Sequence, residues 1–102
     1  MLTIRYEQMR ALGRDALVRE IASTIRRAVP ELAEADARIE AIVGTAIDRS
    51  ERLGIRRPNS FELMAFAALR FGPRFATRPD IRAAIEGDSA ALDDRLAKIV
   101  FG

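Results

Sequence analysis

An all-α fold, a compact bundle of five to six short-to-medium helices around a central apolar helix near 60–72, is what this sequence predicts. Three observations carry it. Apolar residues recur at three- and four-residue spacing, the period that lines one face of a helix. Proline and glycine stand at or near the joints, at Pro30, Gly54, Pro58, Gly72-Pro73, Pro79 and Gly87. No segment alternates with the two-residue period of a half-buried strand, and no repeat, low-complexity tract or linker breaks the chain. Residues 1–102 therefore read as a single all-helical domain.

Thr3 is placed to cap a first short helix with Tyr6, Met9 and Leu12 on one side, ending near Gly13. A second helix begins at about Arg14, sets Leu17, Val18, Ile21, Ile25 and Val29 on one stripe and stops at Pro30, whose ring cannot continue a helix. The third and longest runs from near Glu31 to Leu53, because Leu32, Ala35, Ile39, Ile42, Val43, Ala46 and Ile47 keep the helical period. Gly54 follows where a left-handed residue closes a helix. Gly44, inside it, is either a close helix approach or a neutral replacement costing about 1 kcal/mol relative to alanine.

Asn59 or Ser60 caps a fourth helix, Phe61 to Phe71, which is apolar nearly all round and so belongs at the centre. Its two charges, Glu62 and Arg70, lie eight residues apart on one edge with Phe66 between them. That edge is either the one strip reaching solvent or a contact with a partner. Thr77-Arg78-Pro79-Asp80 has capping-box spacing and opens a short fifth helix carrying Ile81, Ala84 and Ile85. A last helix begins at Asp88 or Ser89 and turns Leu92, Leu96, Ile99 and Val100 inward.

Composition then narrows function. The chain contains no histidine and no cysteine, which removes most metal sites, thiol nucleophiles and neutral-pH proton shuttles. The adjacent carboxylates Asp93 and Asp94 point about 100° apart on a helix and do not converge. Gly87-Asp88-Ser89 lacks the second glycine and the preceding strand of a nucleophile elbow. Neither a phosphate-binding glycine loop nor a calcium loop is present. The expectation is no enzyme, with no catalytic, cofactor-binding or metal-binding residue.

The longest nearly uncharged apolar run, Leu63 to Leu69, falls far short of the roughly 20 residues of a membrane span. The first residues, Met1 to Glu7, carry charges where a secretory signal needs an apolar stretch, so a cytoplasmic protein is expected. A pI of about 9.9 accompanies a net charge of only +2. With no side chain titrating near neutrality, a small excess of base moves the pI far upward. Lys98 is the one lysine and the other sixteen basic residues are arginine. Either a GC-rich genome or selection for arginine's planar fork accounts for that skew.

Two binding readings use the same residues. A helix-turn-helix would place Leu53-Gly54-Ile55 as the turn and Phe61 to Phe71 as the recognition helix, but that helix offers Phe, Leu, Met and Ala where a groove needs polar side chains. Arg56-Arg57 and the series Arg70, Arg74, Arg78 and Arg82, near Phe71 and Phe75, would meet phosphates and RNA bases or an acidic protein. The protein-binding reading is preferred, and nucleic acid is disfavoured. Its candidate surface is Glu62, Phe66, Arg70, Phe71, Arg74, Phe75 and Arg78, residue types enriched at interface cores. The competing reading is that Phe71 and Phe75 close the bottom of the bundle.

The words of the sequence also resemble a known group. The stretch Leu2-Thr3-Ile4-Arg5-Tyr6-Glu7-Gln8-Met9-Arg10-Ala11-Leu12, the Arg52-Leu53-Gly54-Ile55 turn, the Leu63-Met64 to Phe71-Gly72-Pro73-Arg74-Phe75 stretch and Ile81-Arg82-Ala83-Ala84-Ile85 look like small helical bacterial proteins encoded beside type VI secretion spike and PAAR-type tip proteins or toxins. The segment Arg56-Arg57-Pro58-Asn59-Ser60 departs from the helix start of that group. The resemblance implies an adaptor or chaperone-like accessory protein that holds a secretion effector, spike or tip protein, or else an immunity protein neutralising a toxin. The adaptor is preferred mainly because of the resemblance, and because opposite charges interleave along the chain, so that no charge-complementary face stands out. A homodimer through a leftover apolar stripe is the third possibility.

Overall fold

The computed structural model of the chain describes residues 13–102. Over them the fold is all-α, with five α-helices, two short 3₁₀ turns and no strand among the described residues. The helices are α1 (Arg14–Ala28), α2 (Asp36–Arg52), α3 (Pro58–Phe71), α4 (Pro79–Glu86) and α5 (Leu92–Phe101); the 3₁₀ turns are Phe75–Thr77 and Ser89–Ala91. The helix expected around Tyr6, Met9 and Leu12 lies outside the described residues.

Helix α3 is central because its sequence leaves no polar face. Every residue from Ser60 to Ala65 is buried, as are Ala67 and Ala68, and α2 and α5 flank it with α1 touching its edge. The period-predicted stripes meet it from outside: Ile21 and Ile25 from α1, Ile39, Val43 and Ile47 from α2, and Leu92, Leu96 and Val100 from α5. Burying such side chains contributes roughly 1.5–3 kcal/mol each, so this core, rather than any surface ion pair, carries the fold.

The start of α2 differs from expectation. The helix begins at Asp36, not near Glu31. The Arg26 guanidinium donates to the carbonyl oxygens of Leu32 (2.7 Å) and Glu34 (2.5 Å) and to Asp36 Oδ1 (3.0 Å), fixing residues 29–35 as a turn. The helix ends as predicted. Gly54 adopts φ +85°, the Ile55 amide donates to the Ser50 carbonyl (3.0 Å) and the Gly54 amide to that of Glu51 (3.1 Å), the paired bonds of a Schellman closure.

Caps also differ. Arg57 precedes α3 with Pro58 at its first position, where a fixed φ favours initiation. Ser60 is instead fully buried and donates to Asp93 Oδ1 on α5 (2.5 Å). The Thr77–Asp80 capping box does not form: Thr77 Oγ1 donates back to the Arg74 carbonyl (2.8 Å), and Asp80 accepts from the Ile81 amide (2.8 Å). Gly44 is a close approach, though by a side chain. Arg14 lies across it, donating to the Gly44 carbonyl (2.8 Å) and to Asp48 Oδ1 (2.8 Å), and a Cβ at 44 would stand 3.2 Å from Nη2.

Half-buried Arg95 joins α5 to the end of α4, donating to the carbonyls of Ala84 (3.1 and 2.7 Å) and Asp88 (2.5 Å). Two outcomes follow for urea unfolding. Gly54→Ala forces a left-handed alanine and lowers stability by about 1–2 kcal/mol. Arg95→Met removes charge-assisted bonds to otherwise open carbonyls and costs about 2 kcal/mol, whereas Arg52→Met, on the exposed end of α2, stays within about 0.5 kcal/mol.

Candidate partner-binding face

Of the seven residues that the sequence singles out, the structure gathers five on the surface and draws two inside. Phe75 is 0% exposed and sits in the core beneath the 72–77 loop, so it closes the bundle and is not an exposed anchor. Glu62 is 3% exposed within α3, too deep to meet a partner. The carboxylate end of the expected edge is therefore interior.

The rest of that edge holds α5 in place. Phe66, half-buried, meets the Phe101 ring edge-to-face with centroids 5.1 Å apart and planes at 67°. Arg70 donates to the carbonyl oxygens of Val100 and Ile99 at the end of α5, where a cation also complements the helix dipole. The same guanidinium lies 5.2 Å from the Phe71 ring centre, and Arg78 stacks on that ring at 3.8 Å. Phe71 is thus flanked by two guanidinium groups, and Arg74 projects into solvent from the loop between them.

Sequence reasoning missed Phe101. It is 60% exposed, a large aromatic surface beside Arg70. The signal was present: Phe101 follows Val100 by one position and so falls off the Leu92–Leu96–Val100 stripe by about 100°.

The face is cationic. Between positions 70 and 82 four arginines stand with one carboxylate, Asp80, the locally basic stretch already legible in the sequence. Arg78 grips Asp80 through Nε–Oδ1 (3.1 Å) and Nη2–Oδ2 (2.9 Å). That fork holds the Asp80 carboxyl below its usual range, aided by the Ile81 amide and opposed by partial desolvation, and it raises the Arg78 guanidinium in return. Both side chains are 42% exposed, so solvent screens the pair and its main effect is to orient Arg78 over Phe71.

Beside the 72–77 loop lies a groove of about 330 Å³. Ala41, Ile42 and Thr45 of α2 form one wall and Ala68 and Leu69 of α3 the other, with Phe75 and Pro73 closing one end and Glu34 and Arg38 at the rim. Among the described residues no group of three or more carboxylates is placed to hold a metal ion, and no helix is long and apolar enough to cross a membrane.

No family model, curated protein or solved structure matches this chain.

Because the folded carboxyl of Asp80 is depressed, the pair's contribution is fully present above the ordinary aspartate value of about 3.9 and disappears as pH falls through the lower folded value. A carboxyl-carbon NMR titration is expected to place the Asp80 midpoint below 3.9, and Arg78→Ala is expected to raise it, because the largest lowering cause is removed while the Ile81 amide bond remains.

Proposed function

We propose that the protein is a non-enzymatic protein-binding module whose Phe66, Phe101, Arg70, Phe71, Arg74 and Arg78 face docks on an acidic surface of another protein. The observation that carries this reading is Phe101, 60% exposed and braced on Phe66 beside a cluster of guanidinium groups. Exposed aromatics ringed by arginine are the residue types that dominate binding energy at protein interfaces. Guanidinium groups stay charged at any accessible pH, so recognition through this face is sensitive to salt and insensitive to pH near neutrality.

Two features argue against nucleic acid. Helix α3, the recognition helix of the alternative reading, is buried on nearly every side, and the Phe71 ring is already covered by Arg78 at 3.8 Å where base stacking needs an open face. The resemblance stated above supports a more specific role, an adaptor or chaperone-like accessory of a bacterial type VI secretion or toxin locus, acting in the cytoplasm on an effector, spike or tip protein. Toxin neutralisation is the second reading, supported by the excess of arginine over its one acid, Asp80, between positions 70 and 82.

The test is capture of the proteins encoded beside the gene, followed by binding of the purified partner. Phe101→Ala and Arg74→Glu are expected to weaken that binding at least tenfold, about 1.4 kcal/mol, with helical content unchanged. Unaltered binding by both variants, or displacement of the partner by random RNA or duplex DNA, rejects the reading. Phe75→Ala is unsuitable here, since it empties the core at a cost of about 3–5 kcal/mol.

A further inference from the structure

Arginines set around an aromatic ring equip a nucleic-acid binder as well as a protein binder, since guanidinium groups take phosphates and the ring takes an unstacked base. Four arginines and Phe71 stand together between positions 70 and 82. Two of the four are open: Arg74 and Arg82 are exposed and form no ion pair among the described residues. Arg70 is spent on the carbonyls of Ile99 and Val100. The state of Arg78 therefore decides which ligand chemistry the ring serves.

Asp80 sets that state. Its Oδ1 and Oδ2 accept from Nε (3.1 Å) and Nη2 (2.9 Å) of Arg78, and Oδ1 also accepts from the Ile81 amide (2.8 Å). The amide fixes the carboxylate in the first turn of α4. The two-pronged contact fixes the plane of the guanidinium, where a single bond would let it turn. Held in this way, the Arg78 guanidinium lies 3.8 Å from the centre of the Phe71 ring, a close cation–π contact. One carboxylate thus withdraws two devices, the Arg78 charge that a phosphate would use and the ring face that a base would use. The carboxyl is held below the ordinary aspartate range, so the contact persists throughout the neutral range. Phe101, 60% exposed, and the two open arginines are untouched by it.

We infer that Asp80 is the specificity-determining residue of this face, a resident carboxylate that keeps Arg78 on Phe71 and so turns away single-stranded nucleic acid while leaving the face open to an acidic protein. The inference rests on the protein-binding reading and adds the residue that enforces the choice.

The probe is a fluorescein-labelled oligothymidylate of about 12 nucleotides, titrated with the full-length protein at about 50 mM salt while the Phe71 ring signals are followed by NMR. Asp80→Ala and Asp80→Asn are compared with Glu86→Ala, which removes the same charge from an exposed position of the same helix and leaves the Arg78–Asp80 contact in place. Both Asp80 variants are expected to bind the strand at least about tenfold more tightly than the parent, with the Phe71 signals moved upfield by a stacked base. Glu86→Ala is expected to change binding less than about threefold, with those signals unmoved. Asparagine keeps an acceptor for the Ile81 amide, so agreement of the two Asp80 variants separates the gain from any fraying of α4. The assignment is overturned if Glu86→Ala gains as much as the Asp80 variants, if neither Asp80 variant gains, or if the Phe71 signals stay in place. When one of these occurs and the captured protein partner still binds, the assignment of Asp80 falls alone. A parent protein that already binds the strand with its Phe71 signals moved rejects the protein-binding reading with it.

Discussion

The rest of this structure depends on the buried apolar core around α3, and guanidinium groups donating to main-chain carbonyls tie the ends of the short helices to it. Short helices leave their last carbonyls without partners inside the helix. Arginines supply the missing partners from a distance. Arg26 holds the turn before α2, Arg56 bonds the carbonyls of Glu51 and Ile55 after it, Arg70 secures the end of α5 and Arg95 the end of α4. Each reaches two carbonyls at once, which a rigid fork of donors does and a single ammonium point charge does poorly. The preponderance of arginine over lysine thus has a structural use, whatever the base composition of the genome.

That same device explains what sequence reasoning reads well and what it reads poorly. The stripes of α1, α2 and α5, the all-round apolarity of α3 and the closure at Gly54 are local patterns, visible within a window of a few turns. The start of α2 is not local, because Arg26 sets it from eight residues before the Glu34 carbonyl it binds. Ser60 has the chemistry of a cap, yet Pro58 begins the helix two residues earlier and leaves the hydroxyl free to reach Asp93 across 33 positions. In the candidate face, Arg70, Phe71, Arg74 and Arg78 were legible as a cationic aromatic cluster. The inward turn of Phe75 was legible only as one of two readings, since the 72–77 loop has no period from which a direction follows.

Two features of the surface stand out in this chain without histidine or cysteine. Both border the 72–77 loop: the arginine–phenylalanine face and the α2/α3 groove. The loop is held from within by Phe75, fully buried, and by the Thr77 hydroxyl bonded to the Arg74 carbonyl. Arg74 is therefore presented from a braced support, which limits the entropy lost when a partner fixes it.

The two glycines lying under guanidinium groups have a consequence for substitution. Gly44 makes room for Arg14 across 30 positions, and at Gly87 an added Cβ would stand 3.0 Å from Arg95. Neither glycine has the left-handed backbone that would by itself demand the residue. A Cβ at either position asks the flexible end of the arginine to yield by a few tenths of an ångström, which lengthens or bends its bonds to the carbonyls beneath. Change at positions 44 and 87 is therefore expected to be felt first in how tightly Arg14 and Arg95 hold their carbonyl partners.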